Sequence, residues 1–296
     1  MSQPSTTSKY LSAEDARALR AMAFAPRMLV EGHHSGKHRS RWRGASMEFH
    51  EFRPYTPGDA PHLVDWRVFA RTDRFYLKTF EQETRLECHL FVDSSASMGF
   101  PEGTGEITKL DWASHLAACL AYLVTLRQDR VSLTLFDTAI RQHLPPGATR
   151  GHLQQILHAL EQNSPGQKTS LSTALERALP LLKTKATLVV VSDFLDDPAT
   201  VFRALGAYLH RGFRVFLFQV LTPAELLLPD TAYRRYVDME TAAALPVHPA
   251  AVRAAYQHEL EQHHRQLSQL STRRGVEFAQ ARTDQPWLDH LRRLTR

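Results

Sequence analysis

One recurring pattern constrains this chain more than any other: a short, continuously apolar run, then a longer stretch with apolar residues three and four apart. The runs are Glu87–Asp93, Val131–Phe136, Thr187–Ser192 and Arg214–Val220. Continuous apolar character marks strands buried on both faces. The stretches that follow read as amphipathic helices. They carry Leu110, Ala113, Leu116, Ala117 and Leu120 in the first, and Leu153, Ile156, Leu157 and Leu160 in the second. Leu171, Leu175, Ala178, Leu179 and Leu182 mark a third, and Val201, Leu205, Tyr208 and Leu209 a fourth. Such alternation predicts an α/β fold, an open and mostly parallel sheet with helices on both faces. Ile140–Leu144 reads as a short partner strand. A long helix over 252–270, a strand over 275–279 and a helix over 287–294 complete the chain.

The region before Glu87 is of another kind. Ser12, with Asp15 three positions on, predicts a helix start, and the helix is expected to run to about Leu29. From Gly32 to Gly44 the text is glycine-bounded, polar and basic, a loop or arm whose arginines are Arg39, Arg41 and Arg43. Glu48–Arg53 and Arg74–Phe80 read as strands around the turn Thr56-Pro57-Gly58-Asp59. The expected divisions are 1–44 for the N-terminal helix and basic arm, 45–85 for a small β-rich segment and 86–296 for the α/β domain.

Composition narrows the function classes. Hydrophobic residues make up 43% and charged residues 23%, the balance of a globular protein with a core. The net charge of +5 is mild and does not itself indicate nucleic acid. Cys88 and Cys119 stand without C-x-x-C spacing and read as buried thiols. The first residues are polar, with no apolar segment of a signal peptide, and no run is long enough to span a bilayer. A cytoplasmic protein without membrane contact is therefore expected. There is no G-x-S-x-G elbow and no phosphate-binding glycine loop.

The first apolar strand ends in Asp93-Ser94-Ser95-Ala96-Ser97, and a later one in Ser192-Asp193. In open parallel sheets, ligands bind beyond the carboxyl ends of the strands. Asp93, Ser95, Ser97, Asp193 and Thr169, the last in a loop that introduces a helix, offer two carboxylates and three hydroxyls. Hard oxygen donors of this kind suit Mg2+ or Mn2+. Capping of a turn is the competing use of the same residues, and Ser94 reads as a spacer.

These five positions resemble the metal-ion-dependent adhesion site of von Willebrand factor A domains: Asp-x-Ser-x-Ser, a Thr in a later loop and an Asp ending a later strand. Glycines usually precede that Thr. Gln167 and Lys168 stand here instead, placing an ammonium where it competes with a cation. A wider resemblance covers roughly residues 44–294. "EFRPYTPGDAPHLVDWRVFART", "FYLKTFEQE", "YVDMET", "YQHELEQHHRQL" and "FAQARTDQPWLDHL" are similar to a bacterial family long called a domain of unknown function, number fifty-eight. Pro61-His62 replaces an arginine common in that family.

The resemblance implies a non-enzymatic module that binds protein partners through Mg2+ (or Mn2+), an Asp or Glu of the partner completing the metal shell. Members are often encoded beside MoxR-type AAA+ ATPases, which implies such an ATPase as partner in chaperone or assembly work. Two alternatives stay open. One is a metal-dependent phosphoesterase using Asp93, Asp193, Asp196 and Asp197, although the last two also suit helix capping before Pro198. The other is a nucleic-acid scaffold using the basic arm. Arg53, Arg67 and Arg71 offer a possible anion or partner surface; the structural reading has Asp65 capping a helix and Trp66 packing on the sheet.

Overall fold

The computed structural model describes residues 8–21, 47–56, 64–82, 86–101, 105–166, 168, 170–182, 186–228, 233–240 and 243–293. The chain forms two compact units, residues 35–85 and the remainder.

In the larger unit, six strands form one sheet: β3 (Glu87–Asp93), β4 (Arg130–Phe136), β5 (Ile140–Gly147), β6 (Thr187–Ser192), β7 (Arg214–Leu221) and β10 (Glu277–Arg282). Counted within the sheet, their spatial order is 3-2-1-4-5-6. All neighbours run parallel except the outermost β5, which pairs antiparallel with β4. Its last positions are Leu144-Pro145-Pro146-Gly147. The predicted mostly parallel α/β architecture is thus present.

The strands are apolar throughout because both of their faces are covered. On β3, Cys88, Leu90 and Val92 point into one core cluster and Phe91 into the other. Val189 and Val191 of β6 join the first cluster, Leu188 and Val190 the second, as the two-residue strand period requires. Helices α3 (Lys109–Leu126) and α4 (Arg150–Gln162) supply the first layer. Helices α5 (Leu171–Ala178), α6 (Pro198–His210) and the C-terminal part of α8 (Pro249–Arg274) supply the second. Helix α1 (Ala13–Ala21) belongs to the first layer, with Leu11 and Leu19 fully buried in its core. Its start is held as expected, by Asp15 N–H donating to Ser12 Oγ at 3.0 Å and Ser12 N–H donating to Asp15 Oδ2 at 2.9 Å. The expected continuation to Leu29 lies outside the described residues.

Three local differences from the sequence expectations have plain causes. The helix after Ser170 ends at Ala178 and tightens into a 3-10 turn, Leu179–Leu181, because Pro180 cannot continue an α-helix. The last strand begins at Glu277 because Gly275, at φ 65°, closes α8 in the left-handed conformation. Between β7 and α8 stand α7 (Pro223–Leu227) and a hairpin of β8 (Arg234–Val237) and β9 (Ala244–Val247), which the sequence reading missed. The last helix, α9, spans Trp287–Arg293.

The smaller unit pairs β1 (Met47–Pro54) antiparallel with β2 (Tyr76–Gln82) around α2 (Trp66–Thr72). Asp65 caps α2, accepting from the Arg67 and Val68 N–H groups, as expected. Trp66 is not packed on a sheet: it is 59% exposed and meets Phe69 and Phe75 edge-on. Arg67 and Arg71 are exposed on α2, while the Arg53 side chain and Arg39, Arg41 and Arg43 lie outside the described residues. No helix among the described residues is long and apolar enough to cross a membrane.

One buried group in the core makes stability depend on pH. His89 is 1% exposed, its Nδ1 lies 2.6 Å from Ser132 Oγ, and burial pushes its pKa down to about 4. Above pH about 6.5 the ring is neutral whether the chain is folded or unfolded. Between 6.5 and 4 the unfolded chain takes a proton that the folded chain refuses, so stability falls as pH falls. The full shift corresponds to about 3 kcal/mol. Urea unfolding at pH 7 and pH 4.5 should show a pH-dependent loss smaller by about 2 kcal/mol in His89→Gln. Equal losses in the two proteins would rule out His89 as the source.

Candidate metal centre

The strand order brings two carboxylates together. β3 and β6 are adjacent and parallel, with Val92 opposite Val191, so Asp93 and the Ser192-Asp193 pair leave the same sheet edge side by side. The chain departs from β3 toward β4 and from β6 toward β7, in opposite directions. A crevice at such a switch point is where open α/β sheets take ligands.

Asp93 is fully buried at the end of β3. Its Oδ1 accepts from the Ser95 N–H at 2.9 Å, and its Oδ2 accepts from Ser192 Oγ at 2.6 Å. Burial and the neighbouring Asp193 charge push its pKa up to about 7, against the pull of the Ser192 and Ser95 hydrogen bonds. Ser95 and Ser97 are buried, and their hydroxyl oxygens lie 3.1 Å apart. Ser95 stands at the cap position of the 3-10 turn Ala96–Gly99, but its side chain makes no capping hydrogen bond. The Asp93 carboxylate closes its own turn through the Ser95 N–H, and Ser192 Oγ accepts the Phe194 N–H in the turn after β6.

Ser94 does more than space the ligands. Its carbonyl accepts the Gly166 N–H at 2.6 Å and its hydroxyl accepts from Asn163 Nδ2 at 2.9 Å. A Cβ at position 166 would stand 2.5 Å from Asp137 Oδ2, so glycine is what allows this approach. Ser170 N–H donates to the Asp137 carbonyl at 3.3 Å. The loop ahead of α5 is thereby held beside the Asp93 turn, though Thr169 lies outside the described residues. Lys168, expected to compete for the cation, is exposed.

The buried ammonium belongs to Lys109 instead, a residue the sequence reading missed. Lys109 is fully buried at the first position of α3. Its Nζ donates to Asp193 Oδ2 at 2.8 Å and to Glu225 Oε1 at 2.6 Å. Burial pushes its pKa down, but the Asp193 and Glu225 carboxylates outweigh this and hold the group ionised. A cation at a helix N-terminus faces the positive end of the dipole, which the Asp193 and Glu225 carboxylates offset. Glu225 in turn closes a capping box on α7, its Oε2 accepting from the Thr222 N–H and hydroxyl. No sequence signal marked Lys109, since a lysine opening a helix ordinarily reads as solvated.

Asp193 is fully buried. Lys109 holds its Oδ2, while its Oδ1 has no hydrogen-bond partner among the described residues. Its carbonyl accepts from Gln219 Nε2, and the next residue, buried Phe194, adopts φ 54°. A left-handed aromatic residue is strained backbone. His263 Nε2 holds the Phe194 carbonyl at 2.6 Å, fastening this turn to α8. Asp196 accepts the Leu171 N–H at 2.7 Å and so caps α5, whereas Asp197 caps α6 through the Thr200 N–H.

Among the described residues no three His, Cys, Asp or Glu side chains gather as metal ligands. Two of the oxygens have the spacing that a small hard cation asks for. Adjacent oxygens around an octahedral ion with bonds of about 2.0–2.1 Å lie about 3 Å apart, close to the Ser95–Ser97 separation. Asp193 Oδ1 supplies a buried oxygen without a hydrogen-bond partner among the described residues.

Removing the Lys109 ammonium strands two carboxylates at once. Lys109→Met is expected to lower stability by about 3–5 kcal/mol in chelated buffer, measured by denaturant unfolding. A loss below about 1 kcal/mol would mean that the triad is not the buried ion cluster described.

Comparison with known proteins bears on the whole chain. Uncharacterized proteins of Mycobacterium tuberculosis and Mycobacterium bovis are each 28% identical to it over 278 residues, 92% of this chain and 86% of theirs. Among solved structures, the conserved hypothetical protein BatB of Bacteroides thetaiotaomicron is similar at 16% identity and a TM-score of 0.49, over 71% of this chain and 95% of that one. A von Willebrand factor type A protein of Catenulispora acidiphila is similar at 15% identity and a TM-score of 0.35, over 49% and 35%. The model of one family matches residues 51–266, and the chain belongs to that family, described as Protein of unknown function DUF58.

Proposed function

We propose that this chain is a non-enzymatic protein-binding module. In it a divalent cation, Mg2+ or Mn2+, is held by Ser95 and Ser97 with Asp93 and Asp193, and with Thr169. An Asp or Glu of the partner completes the metal shell. When bound, the cation supplies a fixed positive centre for that carboxylate. The chain's own residues position the described ligands: Ser192 holds Asp93 and Lys109 holds Asp193.

One observation carries the reading. The exposed apolar side chains of the larger unit concentrate on the same sheet edge as the buried oxygen cluster. Ile107 lies between β3 and α3, Leu195 between β6 and α6, and Leu227, Tyr233, Val237, Met239 and Leu245 between β7 and α8. Only Leu126 and Leu181, at the amino-terminal edge, stand apart among the described residues. Met239 and the Ala96–Gly99 turn together line a cleft of about 530 Å3 that also includes Asn163 and Pro165. An apolar rim around a polar centre is the anatomy of a protein interface. Asp196 and Asp197, which the phosphoesterase alternative needs, are already engaged with helix N-termini. A MoxR-type AAA+ ATPase is the proposed partner, on the family resemblance of the sequence.

Titration calorimetry with Mg2+ or Mn2+ should show binding that Asp93→Ala removes. In pull-downs from the native host, an AAA+ ATPase should be retained by the wild type and lost with EDTA or with Asp93→Ala. Metal-independent retention would overturn the metal-bridged reading, and metal-dependent phosphoester turnover abolished by Asp193→Asn would put the enzyme alternative in its place.

A further inference from the structure

We infer that Lys109 and Glu225 form a built-in charge balance that sets how tightly the centre holds a dication, although neither is expected to ligate it. The inference rests on the metal site proposed above and adds two residues to it.

Lys109 is shut off from solvent, within hydrogen-bond distance of Asp193 on one side and Glu225 on the other. Buried charges at such separations interact with little screening by salt. In their ionised forms, Asp93, Asp193 and Glu225 against one ammonium leave the empty centre with two negative charges, which a dication cancels. The ammonium also takes one oxygen of Asp193, and the other has no partner among the described residues. Lys109 thus acts as a permanent first cation, and room remains for the charge of one divalent ion. Glu225 acts through it: its carboxylate shares the ammonium, and without that share the positive charge falls wholly on Asp193. Both are positioning residues, not ligands.

The alternative is that the triad only ties α3 to α7, and charge arithmetic separates the two. Glu225→Gln removes one negative charge but keeps an acceptor for the Thr222 capping box, in which Gln serves as well as Glu. Mg2+ affinity of this variant, by titration calorimetry on the full chain, should fall about tenfold. Adding Lys109→Met to Glu225→Gln restores two negative charges, and the double variant should bind Mg2+ more tightly than Glu225→Gln alone. Circular dichroism at the titration temperature confirms that each variant is folded. An unchanged affinity in Glu225→Gln overturns the inference, and so does a double variant as weak as the single one. If wild-type binding is absent, or survives Asp93→Ala, the metal site itself fails and the inference with it.

Discussion

Two buried carboxylates meet beyond the ends of adjacent parallel strands, and much of the larger unit is arranged around that fact. Asp93 and Asp193 are both fully buried, and the Asp193 charge adds to the cost of ionising Asp93. Ser192 and the Ser95 N–H answer Asp93; Lys109 answers Asp193. The partners come from four different segments: the β3 turn, the β6 terminus, the first residue of α3 and, through Glu225, the first turn of α7. Electrostatics therefore ties together crossovers that the sheet's own hydrogen bonds do not join. The strain at Phe194, fastened by His263, sits at the same junction.

How much of this was legible in the sequence depends on whether local pattern or tertiary contact decides a residue's role. The strands of the sheet were legible because burial on both faces leaves a continuous apolar run. The burial of Asp93, Ser95, Ser97 and Asp193 beyond neighbouring strand ends was legible because they terminate or follow such runs. Lys109 was not: its helical position predicts solvent, and only the packing of α3 beneath Asp193 and Glu225 reverses that. Ser94 looked like a spacer because its bonds to Gly166 and Asn163 join segments some 70 residues apart in the chain. The β8–β9 hairpin was missed because its strands are short and largely exposed, so neither burial nor period marks them. Trp66 was expected on a sheet because it is large and apolar, yet it packs edge-on to Phe69 and Phe75 with its face in solvent.

The same edge that buries charge exposes oil. Loops leaving the carboxyl ends of the strands are free of the packing duty that fixes strand and helix composition, so apolar residues there serve no core. Met239 beside the Ala96–Gly99 turn offers a surface on which a partner's apolar side chains can settle. Affinity would then come from the rim and orientation from the centre.

The outer strand β5 carries a consequence of its own. Pro145 and Pro146 stand near its end, and neither has an N–H to offer a seventh strand. A guest that tried to extend the sheet by backbone pairing would find the ladder broken there. On this flank the chain resists stacking with its own copies or with any extended peptide, which favours recognition by side chains over recognition by main chain.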